Sequence, residues 1–473
     1  MKLTREEITA ALVGLLGADS VIVEPVRMDP YLREPRKRFH QPAAAIALPH
    51  DVPALQALAR WANEHRVPLI PQGGNTGLVG GQVPLGENEV VVSLVRLDKV
   101  RALNAEAGHM TLEAGVVLET AQSLAADAGA LFPLYLASQG SARIGGVLSS
   151  NAGGVQVLAY GNARELCLGV EAVLADGRLY QGLGSLRKDN TGYDLKDLLI
   201  GAEGTLGFIT AATLKLFPMP QGHETALCSV NSPEAALALF YDMRRRAAGT
   251  LTAFEIIPAF GLDIQLRHRM LDRDPTAGPS PWYCLLEISR PAGGPEGTLM
   301  AALEAAFESG GVDDAVIAES LEERARMWAF REQMSECQSR EGASIKHDVS
   351  VPIAAVPELI ARGSEAAVNL LPGIRPCPFG HMGDGNIHFN FSQPVDADPK
   401  AFMAGAEPIH AAIYEIVVGL GGSVSAEHGI GQLKTGLLAS VKDPVALQMM
   451  AAIKAALDPH GILNPGKLLP PSP

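Results

Sequence analysis

Residues Cys377 to Phe391 read CPFGHMGDGNIHFNF, in which apolar and polar side chains surround a central Asp-Gly pair. Asp-Gly is a favoured pair for a two-residue type I′ hairpin turn, because both central residues need a positive φ. A turn at Asp384 and Gly385 predicts an antiparallel hairpin in which His381 directly faces His388. Directly opposed residues share one face of a hairpin, so the pattern predicts two imidazoles side by side.

The two histidines of this hairpin are well placed to bind one metal ion. Asn390 lies two residues beyond His388 and therefore shares its face. Further along the chain, the glycine-rich stretch AEHGIG offers the carboxylate of Glu427 and the imidazole of His428. Two His and one carboxylate leave coordination positions open for substrate, as catalytic metal sites do. The hairpin alone is equally compatible with a metal-free pair of histidines, but with AEHGIG it predicts a divalent metal, expected to be zinc, on His381, His388 and Glu427.

Length and composition indicate a globular protein of two or three domains. The 473 residues exceed what one core supports, and 47% of them are hydrophobic. The formal charge of −14 argues against nucleic acid or an anionic membrane surface as the main partner. No apolar run approaches the ~20 residues that span a bilayer. Five cysteines without a CxxC pair indicate reduced thiols and a soluble, cytoplasmic protein.

Three glycine-dense loops precede the hairpin. They read PQGGNTGLVGG from Pro71, GSARIGGVLSSNAGG from Gly140 and GAEGTLGFIT from Gly201, and each adjoins a strand-like run. Such loops let the backbone approach a ligand closely and turn its N–H groups towards an anion. One such loop is equally compatible with an ordinary turn, but three predict a long, phosphate-bearing cofactor. None fits the GxGxxG nicotinamide fingerprint in its strand–turn–helix setting.

Taken in order, these loops, GHMGDGNIH, AEHGIG and HGILNPGK resemble the FAD-linked dehydrogenases of the vanillyl-alcohol oxidase superfamily. The similarity is greatest to the branch that contains D-2-hydroxyglutarate and D-lactate dehydrogenases, and it extends from about Ala44 to Leu468. The resemblance implies an α+β protein with a two-lobed FAD-binding domain in residues 1–218. It further implies a substrate domain in residues 219–424, with an antiparallel sheet flanked by helices, and a C-terminal segment, 425–473, that returns to the flavin.

The expected cofactor is noncovalently bound FAD. Superfamily members with covalent FAD often carry a His in the first glycine loop, where this chain has Gly73-Gly74-Asn75. The predicted FAD-binding residues are Pro71, Gly73, Gly74, Asn75, Thr76, Gly77, Gly140, Ser141, Ile144, Gly145, Asn151, Gly153, Gly204, Ile209 and Asn464.

A predicted helix from Leu321 to Glu341 and the strand-like stretch after it supply candidate substrate-binding residues. Arg331 and Ser335 are four apart and should share a helical face, and Lys346 follows. From the helix alone, Arg331 would more readily pair with a glutamate of the same helix. The resemblance favours a substrate role, because family members use Arg, a hydroxyl residue four positions on and Lys at this spacing. Arg grips a carboxylate bidentately, and Lys adds a point charge.

The implied chemistry is removal of a hydroxyl proton as the C2 hydride of a 2-hydroxy acid leaves for flavin N5. A histidine with a pKa of ~6.5 is poorly matched to an alcohol of ~16, a gap of roughly 9 units or about 12–13 kcal/mol. A divalent ion lowers the pKa of a coordinated oxygen. The hypothesis is that the metal binds the substrate's carboxylate and hydroxyl, His428 takes the proton, and Asn390 orients the substrate.

Two cationic side chains besides the metal favour a dicarboxylate, so the predicted reaction is oxidation of D-2-hydroxyglutarate to 2-oxoglutarate. A D-lactate or glycolate dehydrogenase of the same family is the alternative. A metallohydrolase, or a flavin-binding subunit without catalysis, is more distant. The resemblance implies an electron acceptor such as electron-transfer flavoprotein or a quinone. No residue pattern selects the acceptor, and none determines whether the chain forms a homodimer.

Overall fold

The computed structural model describes residues 3–247 and 249–470 of the chain. Its contacts divide the chain into two units. Unit 1 comprises Met1–Gly153, Gly161–Met219 and Glu427–Pro473, and unit 2 comprises Gly154–Tyr160 and Pro220–Ala426. Within the described residues, no helix combines the length and apolar character needed to cross a membrane. All five cysteines are buried and free.

The helices of the described residues are, in chain order, α1 (Arg5–Leu16), α2 (Pro25–Leu32), α3 (Val52–His65), α4 (Leu118–Asp127), α5 (Ile144–Ser149), α6 (Val157–Tyr160), α7 (Leu195–Leu199), α8 (Pro233–Arg246), α9 (Ala259–Arg267), α10 (Thr298–Glu308), α11 (Leu321–Glu332), α12 (Met334–Arg340), α13 (Val356–Leu370), α14 (Pro399–Ala404), α15 (Ala406–Gly419), α16 (Thr435–Val441) and α17 (Pro444–Leu457). The strands are β1 (Val21–Ile22), β2 (Ala45–Ala47), β3 (Leu69–Gln72), β4 (Val90–Ser93), β5 (Val100–Asn104), β6 (His109–Glu113), β7 (Ala130–Leu131), β8 (Cys167–Val173), β9 (Leu179–Gly182), β10 (Phe208–Lys215), β11 (Phe217–Pro218), β12 (Gly222–Val230), β13 (Leu251–Pro258), β14 (Trp282–Arg290), β15 (Asp314–Ile317), β16 (Ser344–Ser350), β17 (Arg375–His381) and β18 (Asn386–Ser392).

Unit 1 is built on two main sheets. The first has the order β1-β2-β4-β3, in which β2, β4 and β3 are parallel. Helices α1 and α3 pack on it, because the apolar residues of α3 recur at helical spacing and are buried against Val90 and Val92. The second sheet is antiparallel, with the order β5-β6-β10-β8-β9. The first glycine loop leaves the carboxyl end of β3, and the third leads into β10.

Unit 2 is organised around a seven-stranded antiparallel sheet with the order β15-β12-β14-β13-β17-β18-β16. One face packs against α8, α10, α13 and α15, and the other against α9, α11 and α12. Alternation along β18 buries Ile387, Phe389 and Phe391 in the first core. The intervening polar residues therefore point to the second face, which we call the polar face of the sheet. The predicted antiparallel sheet flanked by helices is confirmed.

Strands β17 and β18 form the predicted hairpin, but its predicted register is wrong. Phe379, rather than His381, pairs with His388. Residues 382–385 form a longer turn, in which the His381 carbonyl accepts hydrogen bonds from the N–H groups of Asp384 and Gly385. Only Gly385 of this pair has a positive φ, 85°, so the turn is not type I′. Because the offset is two residues, the histidines still share one face, as diagonal neighbours.

The predicted helix from Leu321 to Glu341 is in fact two helices, α11 and α12, with Gln333 between them. The buried amide of Gln265 donates to the carbonyl of Phe330 at 2.7 Å, at the point where α11 ends. A side chain inserted at a helix carbonyl is an established cause of a break. Arg331 is buried at the end of α11, whereas Ser335 is exposed on α12. The expectation that they lie on one face of a single helix is therefore wrong.

Candidate active site

Unit 1 contains a cavity of about 620 Å³ that is bounded by the three glycine loops. Glu427 and His428 also line it. The predicted FAD-binding residues that line it are Pro71, Gly73, Gly74, Asn75, Thr76, Gly77, Ser141, Gly145, Gly153, Gly204 and Ile209. The other four predicted residues, Gly140, Ile144, Asn151 and Asn464, do not contribute to the lining.

At two positions in these loops, the surrounding atoms leave no room for a side chain. A Cβ on Gly74 would lie 1.9 Å from the carbonyl oxygen of Ser141, so the first two loops touch backbone to backbone. A Cβ on Gly145 would lie 2.7 Å from the Cβ of Ala114. These glycines admit close backbone contact rather than merely permitting flexible turns. Both contacts are made within the protein, so the approach of these loops to a bound group stays a prediction.

Left-handed backbone occurs in each of the three glycine loops and in the C-terminal segment. Asn75, Asn151, Glu203 and Asn464 have φ values of 55°, 51°, 51° and 43°. Left-handed non-glycine residues cost about 1–3 kcal/mol each and cluster at binding sites. The side-chain oxygens of Asn75 and Asn464 are buried without a hydrogen-bond partner among the described residues. Of these two acceptors, Asn75 lines the cavity, and a polar acceptor beside closely packed backbone loops fits a flavin dinucleotide.

The polar face of the sheet in unit 2 carries the other predicted side chains. The rings of His381 and His388 have centroids 5.5 Å apart. Asn390 follows on β18, buried, and Lys346 lies directly opposite it on β16. Asp348 lies opposite His388, with 3.8 Å between a carboxylate oxygen and Nδ1 of the ring. The sheet thus brings a histidine pair, an amide and a lysine onto one face.

Glu255 on β13 is the residue of this face that sequence reasoning missed. Its carboxylate is 1% exposed; it accepts a hydrogen bond from Nε of Arg331 at 2.6 Å and lies 2.6 Å from Nδ1 of His381. The Arg331 guanidinium also lies 4.9 Å above the Phe379 ring. A lone charge in the apolar run LTAFEIIP was the available signal, since a buried charge needs a partner. Arg331 therefore pairs with Glu255 and not with a glutamate of its own helix.

The charge state of Glu255 determines which ring nitrogen of His381 carries a proton. Burial raises the pKa of this carboxyl group, but His381 and Arg331 outweigh burial and hold the pKa at about 2. An ionised carboxylate only accepts hydrogen bonds, so Nδ1 of His381 carries a proton, and in the neutral ring Nε2 presents a lone pair. Carboxylates commonly stand behind metal-binding histidines in this way. His381 thus fits a divalent metal ligand.

Helix α12 contributes a second set of contacts to the polar face. Nδ2 of Asn390 donates to Oε1 of Gln338 at 2.8 Å, and both side chains are buried. This bond holds the Asn390 amide against α12. Ser335, on the same helix, is exposed and is not held in this buried network.

Glu427 and His428 follow directly after Ala426, the last residue of unit 2. The Ala426 N–H donates to the carbonyl of Asp348 on β16 at 3.3 Å. The chain therefore leaves unit 2 beside the strand that carries Asp348, and the next two residues belong to the cavity lining of unit 1.

Comparison with known proteins shows the family to which the chain belongs. Residues 43–182 match the FAD binding domain family, and residues 219–468 match the C-terminal domain of FAD linked oxidases. The chain belongs to the family of FAD-linked oxidases. This membership confirms the FAD-binding domain that the resemblance implied.

Full-length relatives of this FAD-linked oxidase exist in bacteria and eukaryotes. D-2-hydroxyglutarate dehydrogenase of Xanthomonas citri pv. viticola is 37% identical over 445 residues, which cover 94% of this chain and 93% of the relative. Mitochondrial D-2-hydroxyglutarate dehydrogenase of Bos taurus is 36% identical over 452 residues, covering 95% and 81%. Among solved structures, p-cresol methylhydroxylase has a TM-score of 0.77 at 18% identity, covering 99% of this chain and 98% of that one. The predicted vanillyl-alcohol oxidase type of fold is confirmed.

Proposed function

We propose that the protein is an FAD-dependent dehydrogenase of D-2-hydroxy acids that converts D-2-hydroxyglutarate to 2-oxoglutarate. One observation carries the proposal: the buried carboxylate of Glu255 holds both Arg331, a carboxylate-binding side chain, and His381, an imidazole suited to a metal. The names of the Xanthomonas and bovine relatives support the choice of substrate.

The substrate carboxylates bind to the cationic side chains of the polar face. Nε of Arg331 is engaged with Glu255, so its Nη groups are the donors for a carboxylate. Lys346 supplies a second positive charge beside Asn390, which orients the substrate. Ser335 adds a hydroxyl from α12. Two cations suit a dicarboxylate, whereas D-lactate and glycolate offer them only one carboxylate to bind.

His381, His388 and Glu427 would hold a divalent metal, zinc by expectation. Such a metal would lower the pKa of the substrate hydroxyl. Glu255 keeps Nε2 of His381 available as a ligand, and Glu427 is covalently next to Ala426, which is bonded to β16. His428, the following residue, takes the hydroxyl proton.

The cavity of unit 1 would hold FAD noncovalently, and its N5 would supply the acceptor for the C2 hydride. Backbone of the glycine loops forms part of the cavity wall, and His428 lines the same cavity. Electron-transfer flavoprotein or a quinone reoxidises the flavin. We retain a cytoplasmic location as a prediction, although the bovine relative is named mitochondrial.

Anaerobic spectrophotometry tests the proposal. The purified protein should carry a flavin spectrum, and D-2-hydroxyglutarate should bleach it faster than D-lactate, glycolate or D-malate. Fastest bleaching by D-lactate or glycolate would support the alternative dehydrogenase. A metallohydrolase would show no flavin, and a non-catalytic flavin-binding subunit would keep its colour with every hydroxy acid.

A further inference from the structure

Glu203 is bonded to several of the segments that enclose the FAD cavity. Its N–H donates to the carbonyl of Ser149 in the second glycine loop at 2.8 Å, and its own carbonyl accepts from Nδ2 of Asn464 at 2.7 Å. Its carboxylate accepts the backbone N–H groups of Ile430 and Gly431, each at 2.7 Å. One residue of the third glycine loop thus joins the second loop, the C-terminal segment and the AEHGIG turn, all within unit 1.

The carboxylate of Glu203 also explains the glycine spacing of the AEHGIG turn. A Cβ on Gly429 would lie 2.7 Å from Oε1 of Glu203, and a Cβ on Gly431 would lie 2.2 Å from the carbonyl of Val79. Both glycines have positive φ, 78° and 53°. They therefore turn the chain and leave room for the carboxylate, immediately after His428.

The conformation and charge of Glu203 match an anchoring role. Its φ of 51° is a strained value that persists only where the surroundings impose it. The pKa of its carboxyl group is raised, because burial outweighs the two backbone N–H groups and the charges of Lys434 and Lys467, which lower it. Backbone N–H bonds to a carboxylate are charge-assisted and stronger than neutral ones.

We propose that Glu203 is a positioning residue that holds the backbone after His428 against the FAD-binding loops. It thereby fixes the imidazole at the cavity wall. The inference rests on the proposed function, in which His428 takes the substrate proton. Glu203 itself acts through the turn.

The test compares holoenzyme carrying Glu203→Gln with the wild type and with Glu89→Gln. In Glu203→Gln, the side-chain NH₂ group replaces one of the two carboxylate oxygens and faces a backbone N–H donor, so one of the two hydrogen bonds is lost. Glu89 is the matched control, because it is a buried carboxylate of unit 1 that accepts a backbone N–H, from Leu85 at 2.6 Å. Glu203→Gln should slow anaerobic flavin reduction by D-2-hydroxyglutarate about 100-fold, as a misplaced reacting group does. The KM should change less than about threefold, because the substrate-binding side chains are intact.

Hydrogen–deuterium exchange supplies a readout that does not depend on turnover. Amides of residues 427–433 should exchange about tenfold faster in Glu203→Gln and at the wild-type rate in Glu89→Gln. The inference is overturned if both variants exchange equally fast, or if Glu203→Gln reduces its flavin within about threefold of the wild-type rate. Should wild-type flavin resist every 2-hydroxy acid, the proposed function fails, while the exchange comparison still decides the anchoring.

A second variant covers the case in which Glu203→Gln does not fold. Glu203→Asp keeps the charge but draws the carboxylate back by about 1.5 Å, one carbon–carbon bond. It should show the same slow flavin reduction and fast exchange at smaller magnitude. Wild-type rates in both measurements would overturn the inference.

Discussion

A buried carboxylate is stable only when charged or hydrogen-bonding groups compensate its charge. Glu255, on β13, has two such partners. Arg331 and His381 each contact it at 2.6 Å, one through Nε and the other through Nδ1. Removing one partner of such a set leaves an uncompensated buried charge, which costs several kcal/mol, about 3–5 in measured cases. The same contact orients both functional side chains, so at this residue stability and function have one cause.

Glu255→Gln is expected to weaken metal binding by about 10–100-fold, the usual effect of losing the carboxylate behind a metal-binding histidine. The Gln amide can no longer accept from Nδ1 of His381 and Nε of Arg331 with a full negative charge. Competition with a chromophoric chelator measures the affinity. Glu287→Gln is the control, because Glu287 is another buried carboxylate of the same sheet, bonded to Arg324 instead. Equal metal affinities in the two variants would contradict the orienting role.

Lys346→Met is expected to lower kcat/KM for D-2-hydroxyglutarate by about 10–100-fold, since a charged hydrogen bond contributes roughly 1.5–3 kcal/mol. For D-lactate the loss should stay below about threefold, because lactate lacks the second carboxylate. Steady-state kinetics with both substrates gives the ratio. Lys442→Met, at an exposed lysine of unit 1, should change neither value. Parallel losses for both substrates would show that Lys346 does not recognise the second carboxylate.

At the scale of the element, Glu287 links β14 to α11. It accepts two hydrogen bonds from Arg324, at 2.7 and 2.8 Å, one from Nε1 of Trp328 at 2.8 Å and one from Thr225 at 2.7 Å. Burial raises the pKa of this carboxyl group, but its hydrogen-bond partners, with His223 among them, outweigh burial and hold the pKa at about 2. The ionised form is therefore the one that the fold binds.

Glu287→Gln should lower the free energy of unfolding by about 3 kcal/mol at pH 7, the linkage value for a pKa depressed from 4.5 to about 2. A depressed pKa stabilises the fold above pH 4.5, and that contribution disappears as the pH falls from 4.5 towards 2. Urea unfolding at several pH values should show the gap between variant and wild type closing in this window. A gap that does not change with pH would contradict the assignment.

Elements with local causes could be predicted from the sequence, and contacts between distant residues could not. The apolar spacing of α3 and the alternation of β18 each follow from neighbouring residues. The hairpin was found, but its register was not, because the pairing depends on the conformation of Asp384. The contact between Glu255 and His381 joins residues 126 positions apart, and no local pattern specifies such a partner.

The break between α11 and α12 shows the same limit. The segment around Gln333 contains neither Gly nor Pro, so its composition favours one continuous helix. The signal that ends α11 comes from the amide of Gln265, 65 positions away from Phe330. The residue types of the candidate site were predictable, but the break that places Arg331 and Ser335 on different helices was not.

At the scale of the whole molecule, the two units have separate cores. The first sheet of unit 1 is buried with α1 and α3, and the sheet of unit 2 is buried with its own helices on both faces. The predicted FAD-binding residues belong to unit 1, and Glu255, Arg331 and the histidine pair belong to unit 2. A ligand that binds to one unit stabilises the core of that unit by mass action. It stabilises the core of the other unit only to the extent that the two units unfold together.

Flavin saturation should therefore protect unit 1 selectively. At a concentration of FAD about 100 times its Kd, the stabilisation is about 2.7 kcal/mol, equivalent to roughly a 100-fold slowing of exchange through global opening of unit 1. Hydrogen–deuterium exchange of flavin-free and reconstituted protein measures this, with peptides of β4 and α3 reporting on unit 1 and peptides of β14 and β18 on unit 2. Zinc added without FAD should slow exchange in β17 and β18, because His381 and His388 lie there. Equal protection of both units by FAD alone would show that they unfold as one cooperative body, and the separate cores would then not act as separate folding units.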